Sequence, residues 1–300
     1  MGWTDEEIEE NRAIRTAGGE CNGCGGCGAE AATLNKRMNL LQKSTRILIC
    51  SDIHSNIEAL QACLADAQAR GGFDRFWSIG DVVGYGPDPV AVLDELRALG
   101  DRFVGVLGNH DRTVIKEGTL VPKPDAWWQH ADYLNHQATS LSDRAFMRSW
   151  PRDTVDHDFR LVHDPNKWYV EDARTAGVVL ADTKEATHVV VGHSHVPGYF
   201  VTQRSGDPAA PNAPTEAFRR FRDGDVLEFE AGRRYLINPG GLGQPRDGDT
   251  SAPYLLATVE GASVTIEARR VAYDLEATIA KLLERGYPWP LDEHLRHGTG

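Results

Sequence analysis

Short apolar runs alternate with polar clusters over the first part of the ordered pattern. Ile47, Leu48, Ile49 and Cys50 form an unbroken apolar stretch ending in Ser51-Asp52-Ile53-His54, which predicts a buried strand running into a polar loop. Ile57, Leu60, Leu64 and Ala67 then recur at helical spacing, and Gly71-Gly72 stop that helix. Residues 76–79 predict a second strand, ending at Gly80-Asp81, and a helix follows over 90–99. Residues 103–107 predict a third strand, ending at Gly108-Asn109-His110-Asp111. Each polar cluster therefore follows a strand, the α/β arrangement with a site at the carboxyl ends of strands.

A more helical middle is expected over 124–150. Residues 160–162 predict a strand ending at His163, and 189–191 another ending at Gly192-His193-Ser194-His195. Beyond Pro197 the pattern becomes short β runs at 200–202, 226–229, 234–237, 254–259 and 264–268, with a Pro-rich loop at 205–215. Residues 275–283 read as a closing helix. No internal repeat is present. Residues 1–44 show neither period and include a Gly-rich stretch, so they are expected to be a flexible extension. The expected division is that extension, a domain over 45–285, and a tail over 286–300.

Composition adds exclusions. The 300 residues are 41% hydrophobic, enough for a core, and no apolar run is long enough to cross a bilayer. The acidic start, Met1 to Glu10, lacks the basic and apolar parts of a signal peptide, so the cytoplasm is the expected location. A net charge of -12 without a basic block argues against binding duplex nucleic acid. It does not argue against a small phosphorylated substrate, because bound divalent cations invert the local field.

Metal-assisted attack on a phosphate ester needs hard oxygen ligands, neutral imidazoles and, for two cations, a carboxylate that can bridge them. The chain offers Asp52-x-His54, Gly80-Asp81, Asn109-His110-Asp111, His163 and His193-x-His195 at successive strand ends. Residues two apart in an extended segment point the same way, so Asp52 with His54, and His193 with His195, can each face one cavity.

The segments Ser51-Asp52-Ile53-His54-Ser55-Asn56, Gly80-Asp81-Val82-Val83-Gly84-Tyr85-Gly86-Pro87, Gly108-Asn109-His110-Asp111 and Gly192-His193-Ser194-His195 resemble the calcineurin-like metallophosphoesterase superfamily. The run from Asn238 to Arg246 resembles its small bacterial and archaeal predicted phosphodiesterases. The resemblance implies a four-layer αββα sandwich of mixed α/β class. It implies that Asp52, His54 and His195 bind one metal, that Asn109, His163 and His193 bind the other, and that Asp81 bridges them. A hydroxide between the metals would be the nucleophile. His110 would contact the phosphoryl oxygens and protonate the leaving group, with Asp111 orienting its ring. Asn109 and Arg246 would face the substrate. The metal pair is drawn from manganese, iron, zinc, nickel and cobalt, among which such ligands do not choose. The implied activity is hydrolysis of a small phosphomonoester or phosphodiester, with a nucleotide as one candidate. The alternative is a scaffold of the same fold that has lost its chemistry. Oligomeric state is left open.

This chain departs from the superfamily at two places. Val162-His163-Asp164-Pro165 replaces a Gly-His motif followed by a Gly-Ser-Pro-like stretch, so Asp164 adds a negative charge beside the pocket. Gly241 stands where a serine is usual, which removes a hydroxyl. Other features have simpler readings. Tyr85 is foremost a turn residue, Trp127-Trp128 a core pair, and Arg246 either a loop cap or a phosphate contact. His130, His136, His157, His188, His294 and His297 are expected to be surface or satisfied core residues. Cys21, Cys24 and Cys27 lack the fourth ligand that a closed zinc or iron–sulfur site needs, and Met38 is a second candidate start that would leave them outside the chain.

Overall fold

The computed structural model describes residues 44–118, 120–122, 125–202 and 215–300. The cysteine triplet, the expected extension and most of the Pro-rich loop lie outside these residues. In chain order the elements are β1 (Thr45–Cys50), α1 (Ile57–Ala69), β2 (Arg75–Ser78), α2 (Pro89–Ala98), β3 (Phe103–Gly105), α3 (Asn109–Val114), α4 (Trp127–Ala138), α5 (Leu141–Arg148), β4 (Asp153–Asp156) and β5 (Phe159–Val162). There follow α6 (Ala173–Asp182), β6 (His188–Val190), β7 (Gly198–Val201), β8 (Arg219–Arg220), β9 (Val226–Glu228), β10 (Tyr235–Asn238), β11 (Ala252–Glu260), β12 (Ser263–Val271), α7 (Leu275–Glu284) and α8 (Leu291–His297).

Two six-stranded mixed sheets result, in the orders β3-β2-β1-β11-β12-β9 and β4-β5-β6-β10-β7-β8. The alternation along β1 shows how they stack. Ile47 and Ile49 pack inward with Trp77, Phe159, Leu161, Val190 and Ile237, which come from both sheets. Leu48 and Cys50 face outward against Leu60, Cys63 and Ala67 of α1 and Val92 and Leu96 of α2. On the far side, Val189 and Leu236 of the second sheet pack on Ala176, Val179 and Leu180 of α6. The layers are helix, sheet, sheet, helix, as expected. Local signals agree with this packing. The Asn56 side chain caps α1 by accepting from the Ala59 N–H, and Pro89 opens α2.

Strands β1, β2 and β3 are mutually parallel, and so are β5, β6 and β10. Their carboxyl ends carry Asp52, Asp81, Asn109, His163 and His193. One expectation fails here. Residues 286–300 are not a tail, because Leu291 and Leu295 of α8 are buried with Ile279 and Leu282 of α7 and with Tyr85. The loop 286–290 hides the helix, since its Pro288 and Pro290 read as breakers. Among the described residues no helix is long and apolar enough to cross a membrane.

Candidate metal centre

The loops after β1 and β2 are zipped together: the N–H groups of Asp52, His54 and Ser55 donate to the carbonyls of Gly80, Asp81 and Val82 at 2.9–3.0 Å. This holds Asp52, His54 and Asp81 in left-handed backbone, with φ of 51°, 48° and 49°. His193 and His195 share that conformation at 73° and 59°. Non-glycine residues there are uncommon and strained by roughly 1–3 kcal/mol each, and they persist where the surroundings over-determine them.

The conformation gathers two sets of ligand atoms. Asp52, His54 and His195 form one, and Asp81, His163 and His193 the other, with the atoms of each set within 4.8 Å of one another. Asn109 joins the second through Oδ1, 3.2 Å from His163 Nε2. His163 Nε2 also lies 3.1 Å from Asp81 and 3.9 Å from Asp52, so the sets adjoin. All the predicted ligands are thus brought together.

The donors are prepared for a cation. The Nδ1 atoms of His54, His163 and His195 face the carbonyls of Val83, Ile79 and Gln244 at 3.3, 2.7 and 2.6 Å. A carbonyl only accepts, so each Nδ1 carries the proton and each Nε2 is left toward the site. Nε2 of His54 and Nε2 of His195 stand 3.3 Å apart. Asp52 Oδ2 accepts from the Ser51 hydroxyl and the His193 N–H, while Oδ1 is buried without a hydrogen-bond partner. An orphaned carboxylate oxygen facing imidazole nitrogens suits a divalent cation and is costly without one.

Charge follows the same division. Burial raises the Asp52 carboxyl, but the imidazoles of His195 and His163 outweigh it and hold it well below the usual range. Asp81 is likewise held low against burial by His163 and His110. Burial lowers His54, with His195 adding to it, and burial with Arg246 lowers His195. Burial and His163 bring His193 to about 4. These three imidazoles are neutral, as ligands must be. His163 differs: burial opposes its charge, yet Asp81 and Asp52 raise it to about 10, so it must give up that proton to a cation that takes over those carboxylates before it can serve as a ligand.

His110 stands at the start of α3, its N–H donating to Asp81 at 2.8 Å. The expectation for its partner fails. Asp111 does not touch the ring, because it sits where its carboxylate accepts from the N–H groups of Val83 and Gly108 at 3.0 and 2.9 Å. The ring is held by Asp132 of α4, 2.6 Å from Nδ1. Burial opposes the charge, but Asp132 and Asp81 raise His110 to about 9. Nothing in the local sequence of Asp132 marks it, and only the packing of α4 on α3 does.

The two departures have physical accounts. Asp164 is not a free charge in the pocket: Arg112 of α3 grips it with both guanidinium nitrogens at 3.0 and 2.5 Å. That pair ties the helix bearing Asn109 and His110 to the loop bearing His163. At Gly241 a Cβ would lie 2.6 Å from His195 Nδ1, so a serine does not fit this backbone.

A cleft of about 870 Å³ opens in front of Asp81, Asn109, His110, His193 and His195. Arg246 reaches it, its guanidinium 5.9 Å from the Tyr85 ring and bonded to the Gln244 amide oxygen. Tyr85 is more than a turn residue, because its ring sits 4.3 Å from both His54 and His110. Trp127 packs on Tyr85 and His294 but is only half-buried and also lines the cleft. Trp128, expected in the core, is 43% exposed and lines the cleft. The remaining histidines join neither ligand set among the described residues. His136 donates to the Val114 carbonyl, and His188 accepts from the Tyr235 N–H.

Comparison with known proteins agrees with this site. The calcineurin-like phosphoesterase family matches residues 45–197. The crystal structure of a metallophosphoesterase from Sphaerobacter thermophilus is 36% identical, with a TM-score of 0.71 over 85% of this chain and all of that one. An uncharacterised protein of Methanocaldococcus jannaschii is 28% identical over 83% of this chain and 96% of its own length. A symmetrical bis(5'-nucleosyl)-tetraphosphatase of Glaesserella parasuis is 33% identical over 58% of this chain and 62% of its own length. Its sequence motifs, its paired ligand sets and its relatives together show that the chain belongs to the calcineurin-like phosphoesterase family.

Proposed function

We propose that the protein is a metal-dependent phosphoesterase with two divalent cations, acting on a small phosphorylated substrate of the nucleotide type. The observation that carries this reading is the pairing of two adjoining ligand sets beside a positively charged His110. Asp52, His54 and His195 would hold one cation and Asn109, His163 and His193 the other, with Asp81 shared. Such cations activate water and neutralise charge on the phosphoryl oxygens.

The chain's own groups complete the reaction. His110, oriented by Asp132, carries a proton within the cleft and delivers it to the leaving oxygen. Arg246, which also lines the cleft, offers a cationic fork to the phosphate. Asp111 positions the turn before α3 rather than the ring. The named activity of the Glaesserella relative supports a nucleotide-type substrate.

The test is turnover of p-nitrophenyl phosphate and bis(p-nitrophenyl) phosphate by manganese-loaded protein, with elemental analysis. Both rates should be abolished by chelation and restored by manganese, at close to two metals per chain. Well-folded, metal-loaded protein that turns over neither ester would instead support the silent scaffold.

A further inference from the structure

Asn135 lies on α4, where asparagine is a weak helix former, and its side chain is fully buried. The amide uses its whole hydrogen-bonding capacity. Oδ1 accepts from the Ser55 hydroxyl at 2.6 Å and from the Gly84 N–H at 3.0 Å. Nδ2 donates to the Gly86 carbonyl at 3.0 Å and to the Tyr287 hydroxyl at 2.9 Å. An N–H only donates and a carbonyl only accepts, so Gly84 and Gly86 fix which end of the amide faces which residue.

Between those two glycines stands Tyr85, in left-handed backbone with φ of 55°. Its ring centroid is 4.3 Å from those of His54, a candidate ligand, and His110, the candidate proton donor. The turn has no slack on either side. A Cβ at Gly84 would lie 2.8 Å from the Cβ of His110, and one at Gly86 would overlap the His54 carbonyl. Asp132, one turn before Asn135 on α4, holds His110 at Nδ1. A single hydrogen bond fixes one point of an imidazole and leaves the ring free to swing about it. Packing against Tyr85 removes that freedom. We infer that Asn135 is a positioning residue, which clamps the 84–86 turn so that Tyr85 holds the His110 ring in the orientation from which it delivers its proton. Helix α4 thus serves His110 twice, directly through Asp132 and indirectly through Asn135. The role of His110 rests on the phosphoesterase reading, whereas the clamp on its ring does not.

Asn135→Ala and Tyr85→Leu in the full, manganese-loaded chain test it with two esters. Phenyl phosphate needs its leaving oxygen protonated more than p-nitrophenyl phosphate does, because p-nitrophenolate is the weaker base. Each variant should lower kcat for phenyl phosphate about 10-fold and for p-nitrophenyl phosphate at most about threefold, with manganese content unchanged. In the Tyr85→Leu background, Asn135→Ala should cost less than about twofold more, since both act through one ring. Equal losses on the two esters, additive losses, or manganese lost in step with kcat would overturn the inference, because each is what general damage to the fold produces. Asn135→Ser, whose hydroxyl keeps a buried partner paired, is read in the same way should Asn135→Ala not fold. Nuclear Overhauser contacts between the Tyr85 and His110 rings in the metal-free protein separate the clamp from the catalytic reading. Contacts present in the parent and lost in the Asn135 variant support the clamp even if no ester is hydrolysed. Contacts absent from the parent or retained in the variant reject it even if hydrolysis is robust.

Discussion

The two ligand sets are built to different standards of enclosure. Asp52, His54 and His195 are all buried, and both imidazoles are fixed by backbone carbonyls. In the second set His163 is equally enclosed, but His193 is only half-buried and leans on the exposed ring of Tyr169. The second set also depends on a side-chain pair, Arg112 with Asp164, to hold α3 against the loop after β5. Backbone carbonyls orient His54 and His195 in the first set and His163 in the second, so the sets differ in the half-buried His193 and in this side-chain clip. A cation in the first should therefore be held tightly, and one in the second should exchange more readily.

The largest effect is expected from removing an enclosed ligand. His195→Ala should weaken manganese binding on the order of 10³-fold, beyond the loss that follows from an outer partner alone, while His193→Ala should weaken it by about 10²-fold, because water can reach the vacated position. Manganese titration with elemental analysis of each variant measures this, and equal losses would break the comparison.

A smaller effect separates proton transfer from support of the fold. Asp132→Asn should lower kcat for p-nitrophenyl phosphate about 10²-fold with manganese content unchanged. Asp111→Ala should act on stability, since it strands the buried N–H groups of Val83 and Gly108 at roughly 1–3 kcal/mol each. Thermal unfolding set beside kcat for both variants distinguishes the roles. If Asp111→Ala left the melting temperature unchanged, the assignment would be wrong.

The smallest effect should come from loosening the clip. Arg112→Ala should weaken manganese at the second set by about 10-fold and spare the first, and Arg112→Lys should recover only part because it lacks the planar fork. A loss shared equally by both sets would erase the distinction drawn above.

The parts of the site that follow strands were legible, because β1, β2, β5 and β6 announce themselves by apolar runs and their ends carry the ligands. The sandwich followed from the same runs together with the family resemblance. Groups brought in by tertiary packing were not legible. Asp132 lies on a helix 22 positions after His110, and the Arg112 and Asp164 partners are 52 apart. Helical period cannot report such a meeting. Asp111 misled because adjacency to His110 suggested contact, whereas consecutive residues at a helix start point in different directions. Trp128 misled because a large apolar residue is more often buried, and α8 was hidden by the prolines before it.

The left-handed backbone at Asp52, His54, Asp81, His193 and His195 bears on how this scaffold would respond to engineering. Glycine adopts that geometry freely, so a search guided by thermal resistance alone would favour replacing these five positions. Each gain would delete a ligand. Stabilisation of this protein is therefore best sought far from the strand ends, and the positions where tolerance and usefulness conflict most sharply can be named in advance from their φ angles.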